Sequence, residues 1–182
     1  YISKFNIIVF LAIIISAIPF INIPFSWITV FFHEISHGIT SILTGGKIEK
    51  ILLHISGSGL CYTSGGSRFF ILLSGYMGAI LWGCIIYSMA DFLKPRNIRI
   101  IIYIIIFLLI TSLIFWSRDL VTWAIIIFLL IFFASLIKLQ ENNMIKLLLK
   151  FIGIYILFDA IRAPLYLFDG RHYGDGASLA DL

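Results

Sequence analysis

Charge is what this sequence has least of. Asp, Glu, Lys and Arg make up 12% of its 182 residues while 61% are hydrophobic, and the mean hydropathy is +1.09. That balance excludes a soluble globular chain. Cysteine is nearly absent. Cys61 lies in a polar, glycine-rich stretch and Cys84 in an apolar run, without CxxC spacing, which argues against a disulfide and against thiolate metal ligands. No basic patch with interleaved aromatics occurs, so no nucleic-acid partner is expected. What remains is an integral, multi-pass membrane protein, with the lipid bilayer as its first partner. Its slight excess of basic residues suits anionic lipid surfaces.

The apolar runs set out about six spans, at 7–23, 24–44, 69–90, 100–116, 121–137 and 151–168, each close to the roughly 20 residues that cross a bilayer core. The first run imitates a signal peptide. It lacks a small-residue cleavage site and leads straight into another membrane helix, so it reads as a span. Residues 47–68 break the pattern, alternating apolar and polar side chains between glycines, and predict a small β-hairpin. An exposed strand at 60–64 there could cap the bundle or pair with an extended substrate. Gly75, Ala79 and Gly83 recur every fourth residue, with Gly78 beside them. This small-residue stripe is where a neighbouring helix, the second span, is expected to pack. The expected fold is an all-α polytopic membrane protein with a β insertion, forming one domain over residues 1–182. Lys and Arg are spread almost evenly over the two faces, leaning slightly to a cytoplasmic amino terminus and hairpin.

Within the second run stands His33-Glu34-Ile35-Ser36-His37, an HExxH pattern. With Pro24 as the first helical residue and Gly45-Gly46 as the stop, His33 and His37 lie four residues apart. Both imidazoles then leave one face and can hold one metal ion. Glu34, beside the first ligand, is placed to act on a water rather than on the metal. Counted from Pro24 at 1.5 Å per residue, the histidines lie about 13 and 20 Å along the axis, inside the hydrocarbon. Ionisable groups at that depth cost about 2.5–3.5 kcal/mol each, so they mark a working site. Zinc is the expected metal.

The third ligand is the open question. The last run carries Asp159 and Arg162 in its interior. Asp159, about 12 Å from residue 151, matches the depth of the histidines and is the first choice; its rival explanation is an ion pair with Arg162. Asp175 is the competing ligand, unless it caps a terminal helix. His172 reads as a loop histidine. No residue declares itself as the stabiliser of an oxyanion.

One set of segments runs through Phe32 to Gly38, Leu43-Thr-Gly-Gly46, Gly57-Ser-Gly59 with Tyr62 to Arg68, and Ser74 to Ala79, resuming at 155–160 and 174–182. Together they resemble the B branch of the site-2 protease family, the intramembrane zinc metallopeptidases. The resemblance implies zinc held by His33, His37 and an aspartate, with Glu34 catalytic. Better-known members draw the third ligand from a Leu-Asp-Gly segment inside an Asn/Pro-rich motif. Here Phe168-Asp169-Gly170 is only a partial echo, so Asp159, Asp175 and Asp169 all stay open. The implied reaction is peptide-bond hydrolysis in an unwound transmembrane or membrane-proximal segment of a membrane-protein substrate. The rival readings are an inactive metal-binding scaffold or chaperone, and a zinc transporter or sensor. The latter calls for further ligands along several spans, which spans three to five do not offer.

Overall fold

The structure is a computed structural model and describes residues 4–162 and residue 175. Six helices and one hairpin follow in the order α1 (Lys4–Ala17), α2 (Pro19–Leu43), β1 (Lys47–Leu53), β2 (Gly59–Ser64), α3 (Arg68–Phe92), α4 (Arg99–Phe115), α5 (Leu120–Ile137) and α6 (Asn142–Arg162). A short 3-10 turn at Pro95–Asn97 precedes α4.

Helix α2 is the hub. Phe31, Phe32 and Ile35 on it belong to one buried apolar cluster with Ile51 and Leu53 of β1, Ile86 of α3 and Ile156 of α6. The small-residue stripe on α3 serves two neighbours rather than one. A Cβ at Gly75 or Gly78 would run into α2, at the histidines and at Ser36 respectively, whereas a Cβ at Gly83 would meet the Gly153 carbonyl oxygen of α6 at 2.9 Å. Helix α1 packs separately, its Ile8 and Ala12 against Ile154 and Tyr155 of α6.

The hairpin forms as expected. β1 and β2 are antiparallel, with an irregularity between Ile48 and Lys50. On its other side β1 is tied to the α4–α5 connection: the Ile51 N–H donates to the Trp116 carbonyl at 2.9 Å, and the Leu53 N–H donates to the Thr122 hydroxyl at 2.8 Å. With β1 covered on both sides, β2 carries the open edge of the sheet among the described residues.

Two sequence expectations need correction. Pro24 does not start the second helix. Pro19 does, and Pro24 lies inside it. The residue before a proline is driven out of the helical region, and Ile18 is extended, at φ −100° and ψ 107°. There α1 and α2 meet at a bend of 110°. The count of about six spans also changes. Among the described residues three helical stretches, Arg68–Phe92, Pro95–Phe115 and Leu120–Ile137, are long and apolar enough to cross a membrane, and a fourth arises if the bent α1–α2 pair is one span. Helix α1 has 14 residues, about 21 Å at 1.5 Å each, short of a hydrocarbon core of roughly 30 Å. Helix α6 includes Lys146 and Lys150 as well as Asp159 and Arg162. The end of the expected sixth span, at 163–168, lies outside the described residues.

Candidate metal centre

An α-helix brings residues four apart onto one face, and on α2 this sets the His33 and His37 rings edge to face, with centroids 4.7 Å apart. His37 is fixed from behind: its Nδ1–H donates to the Ile71 carbonyl on α3 at 2.6 Å. That choice of tautomer leaves a lone pair on Nε2, which lies 3.0 Å from His33 Nε2.

The third group at this point is Asp175. Its Oδ2 is 2.7 Å from His33 Nε2 and 2.9 Å from His37 Nε2. The three ligand atoms lie within 4.8 Å of one another. Two imidazole nitrogens and a carboxylate oxygen suit zinc. With its Nδ1–H committed, His37 Nε2 is an acceptor like the Asp175 oxygen 2.9 Å away, and the two repel unless positive charge lies between them. A divalent cation satisfies all three. Gly75 leaves the space: a Cβ there would come within 2.5 Å of both Nε2 atoms. The residues present therefore fit a metal ion.

Asp159, the first choice from the sequence, is not brought to this cluster. Its carboxyl faces Thr29, one helical turn before His33. Helix α6 lies beside α2 in a register where Tyr155 meets Asn22 and Ser26 and Asp159 meets the next turn. Thr29 itself stands about 6 Å of helix rise before His33, four residues at 1.5 Å each. Asp169 and His172 lie outside the described residues.

Glu34 is buried, as are His37 and Ser36. Its carboxylate lies against β2, beside Gly59 and close to the Cys61 backbone N–H. Gly59 makes this possible, because a Cβ there would meet Glu34 Cγ at 2.8 Å and Oε1 at 2.9 Å. The hairpin is thus part of the site. Sequence reasoning saw a strand but not its grip on Glu34, which no local spacing signals.

A cavity of about 320 Å³ opens beside the cluster, lined by His37 and Asp175, by Cys61, Thr63 and Gly65, and by Arg68, Ile71 and Leu72 of α3. Burial, together with the charges of Glu34 and Asp175, pushes the Cys61 thiol up to about 12. It is neutral at physiological pH and no nucleophile. Cys61 and Cys84 are both free.

Among known proteins, the family model described as Peptidase M50B-like matches residues 6–182. Neither a curated protein nor a solved structure matches the chain.

Proposed function

The chain belongs to the Peptidase M50B-like family, the B branch of the site-2 proteases, and from that membership we propose that it is an intramembrane zinc metalloprotease. It is an integral membrane protein, and its substrates are peptide segments within or next to the bilayer. The observation that carries this reading is the convergence of His33, His37 and Asp175 on one point, with the Glu34 carboxylate buried next to it on the same helix.

His33, His37 and Asp175 are the residues that hold zinc. When bound, the metal supplies Lewis acidity, lowering the pKa of a water and polarising the scissile carbonyl. Everything else falls to the protein. Glu34 takes the proton from the attacking water and later returns it to the leaving amine. The Cys61 N–H holds its carboxylate in place meanwhile. His37 keeps its orientation through the Ile71 carbonyl. The outer edge of β2 offers backbone groups to an extended substrate, holding it strand-like beside the cavity.

A zinc transporter would need a relay of ligands. Among the described residues, His33, His37 and Asp175 are the single group of three able to share a metal. Glu34→Gln separates an enzyme from an inactive scaffold. It keeps the shape and removes the base. The expected outcome is zinc at the wild-type level with cleavage of a membrane-embedded reporter abolished. Undiminished cleavage by the variant would refute the role of Glu34, and zinc-loaded wild-type protein that leaves every reporter intact would refute the protease reading.

A further inference from the structure

The hydrolysis proposed above develops negative charge on the scissile carbonyl oxygen, and such sites are served by a preorganised hydrogen-bond donor. Most donors near the ligands are already committed. The Ser36 hydroxyl donates to the Phe32 carbonyl at 2.6 Å and the Ser74 hydroxyl to the Ile71 carbonyl at 2.6 Å. Tyr76 is different. It directly follows Gly75, the residue whose missing side chain leaves room over both imidazoles. Its ring stands edge-on against His33, with centroids 4.8 Å apart and planes at 77°. Its hydroxyl is within electrostatic range of both Asp175 and Glu34, yet it has no hydrogen-bond partner among the described residues. A half-buried phenol held against a ligand ring, with no partner among the described residues, is a donor awaiting an acceptor.

We infer that Tyr76 is a further catalytic residue, whose phenol O–H donates to the oxyanion formed from the scissile carbonyl. As the water oxygen bonds to the carbonyl carbon, the π pair moves onto the carbonyl oxygen and Glu34 receives the water proton. Tyr76 keeps its own proton throughout and stabilises that oxygen through a hydrogen bond. When the pair returns, the C–N bond breaks and Glu34 protonates the amine. Arg68 and Thr63 line the neighbouring cavity, but neither packs on a ligand ring.

This role rests on the protease reading, and the test keeps the two apart. The full-length protein is loaded with zinc, and Tyr76→Phe, which preserves the ring packing, is compared with wild type on a membrane-embedded peptide reporter. Binding of a phosphinate peptide, a mimic of the tetrahedral state, is measured alongside. The expected result is a kcat lower by about 10²–10³-fold, with KM and zinc content unchanged, and phosphinate affinity reduced by a similar factor. Wild-type kcat and phosphinate affinity in Tyr76→Phe overturn the inference while leaving the protease reading intact. Loss of zinc from Tyr76→Phe also overturns it, by making Tyr76 a support for His33. Wild-type protein that holds zinc and cleaves no reporter overturns the protease reading, and the inference with it.

Discussion

Gly59 and Gly75 leave room for opposite halves of the site, so substituting each tests one half. Alanine at position 75 would drive a methyl group to within 2.5 Å of both imidazole nitrogens. One ring is anchored through the Ile71 carbonyl and cannot step aside freely. Gly75→Ala is expected to weaken zinc binding by about 10–100-fold, the range for disturbing the support of a ligand, as read by zinc titration. Alanine at 59 meets Glu34 instead. Gly59→Ala should keep zinc and lower kcat by about 10²-fold or more, as for a displaced general base; equal zinc loss in both variants would remove the distinction. The two aspartates separate in the same way. Asp175→Asn should release zinc and Asp159→Asn retain it, and the reverse pattern in metal analysis would restore Asp159 as the ligand. The histidines and Glu34 were legible because their relation is local, fixed by one helical turn. Asp175 was legible only as the competitor to Asp159, since depths counted along two helices from their expected starts do not fix the register in which the helices pack. Tyr76 was hidden among the aromatics of an apolar run, where a phenol looks like filling.

At the scale of the element, helix ends and tie points carry the predictions. Asp119 caps α5, accepting the Thr122 N–H at 2.9 Å, and Thr122 in turn holds β1 through Leu53. Burial opposes the charge of Asp119, but the hydrogen bonds from Thr122 and Val121 outweigh it and lower the carboxyl below its ordinary value. A carboxylate depressed in the folded state stabilises above its unfolded pKa, near 3.9, and loses that contribution as pH falls through the folded value. Asp119→Ala should therefore lower stability at neutral pH by about 1 kcal/mol, and the gap to wild type should close in acid. Asp119→Asn, which keeps the cap, should stay near wild type at neutral pH. Thermal unfolding in detergent reads all three, and a gap that persists unchanged in acid argues against the cap. Helices α3, α4 and α5 and the hairpin were legible because long uniform runs end at polar or glycine-rich breaks. Helices α1, α2 and α6 were legible as helices but not in their boundaries. Two prolines five residues apart compete for one helix start, and α6 begins nine residues before its apolar run because Lys146 and Lys150 find Asp91 of α3, the first through its carbonyl and the second through its carboxylate.

For the proposed protease, the question at the scale of the whole molecule is how a peptide bond reaches His33, His37 and Asp175. The space offered is the cavity of about 320 Å³ under the open edge of β2. In an intact substrate helix the carbonyls are committed to the helix's own hydrogen bonds. An extended segment frees them, and it can pair with β2 at the same moment. Unwinding must then precede the chemistry and add to the barrier. Glycine is less favourable than alanine in a helix by about 1 kcal/mol per residue, so replacing two alanines next to the scissile bond with glycines removes about 2 kcal/mol from that cost. Rates rise tenfold for each 1.4 kcal/mol or so, and kcat/KM for the diglycine reporter should exceed that of the dialanine one by tenfold or more. The comparison requires the two reporters to insert equally in the same bilayer. Equal cleavage rates would mean that the helix enters folded, and the β2 edge would lose its part in holding the substrate.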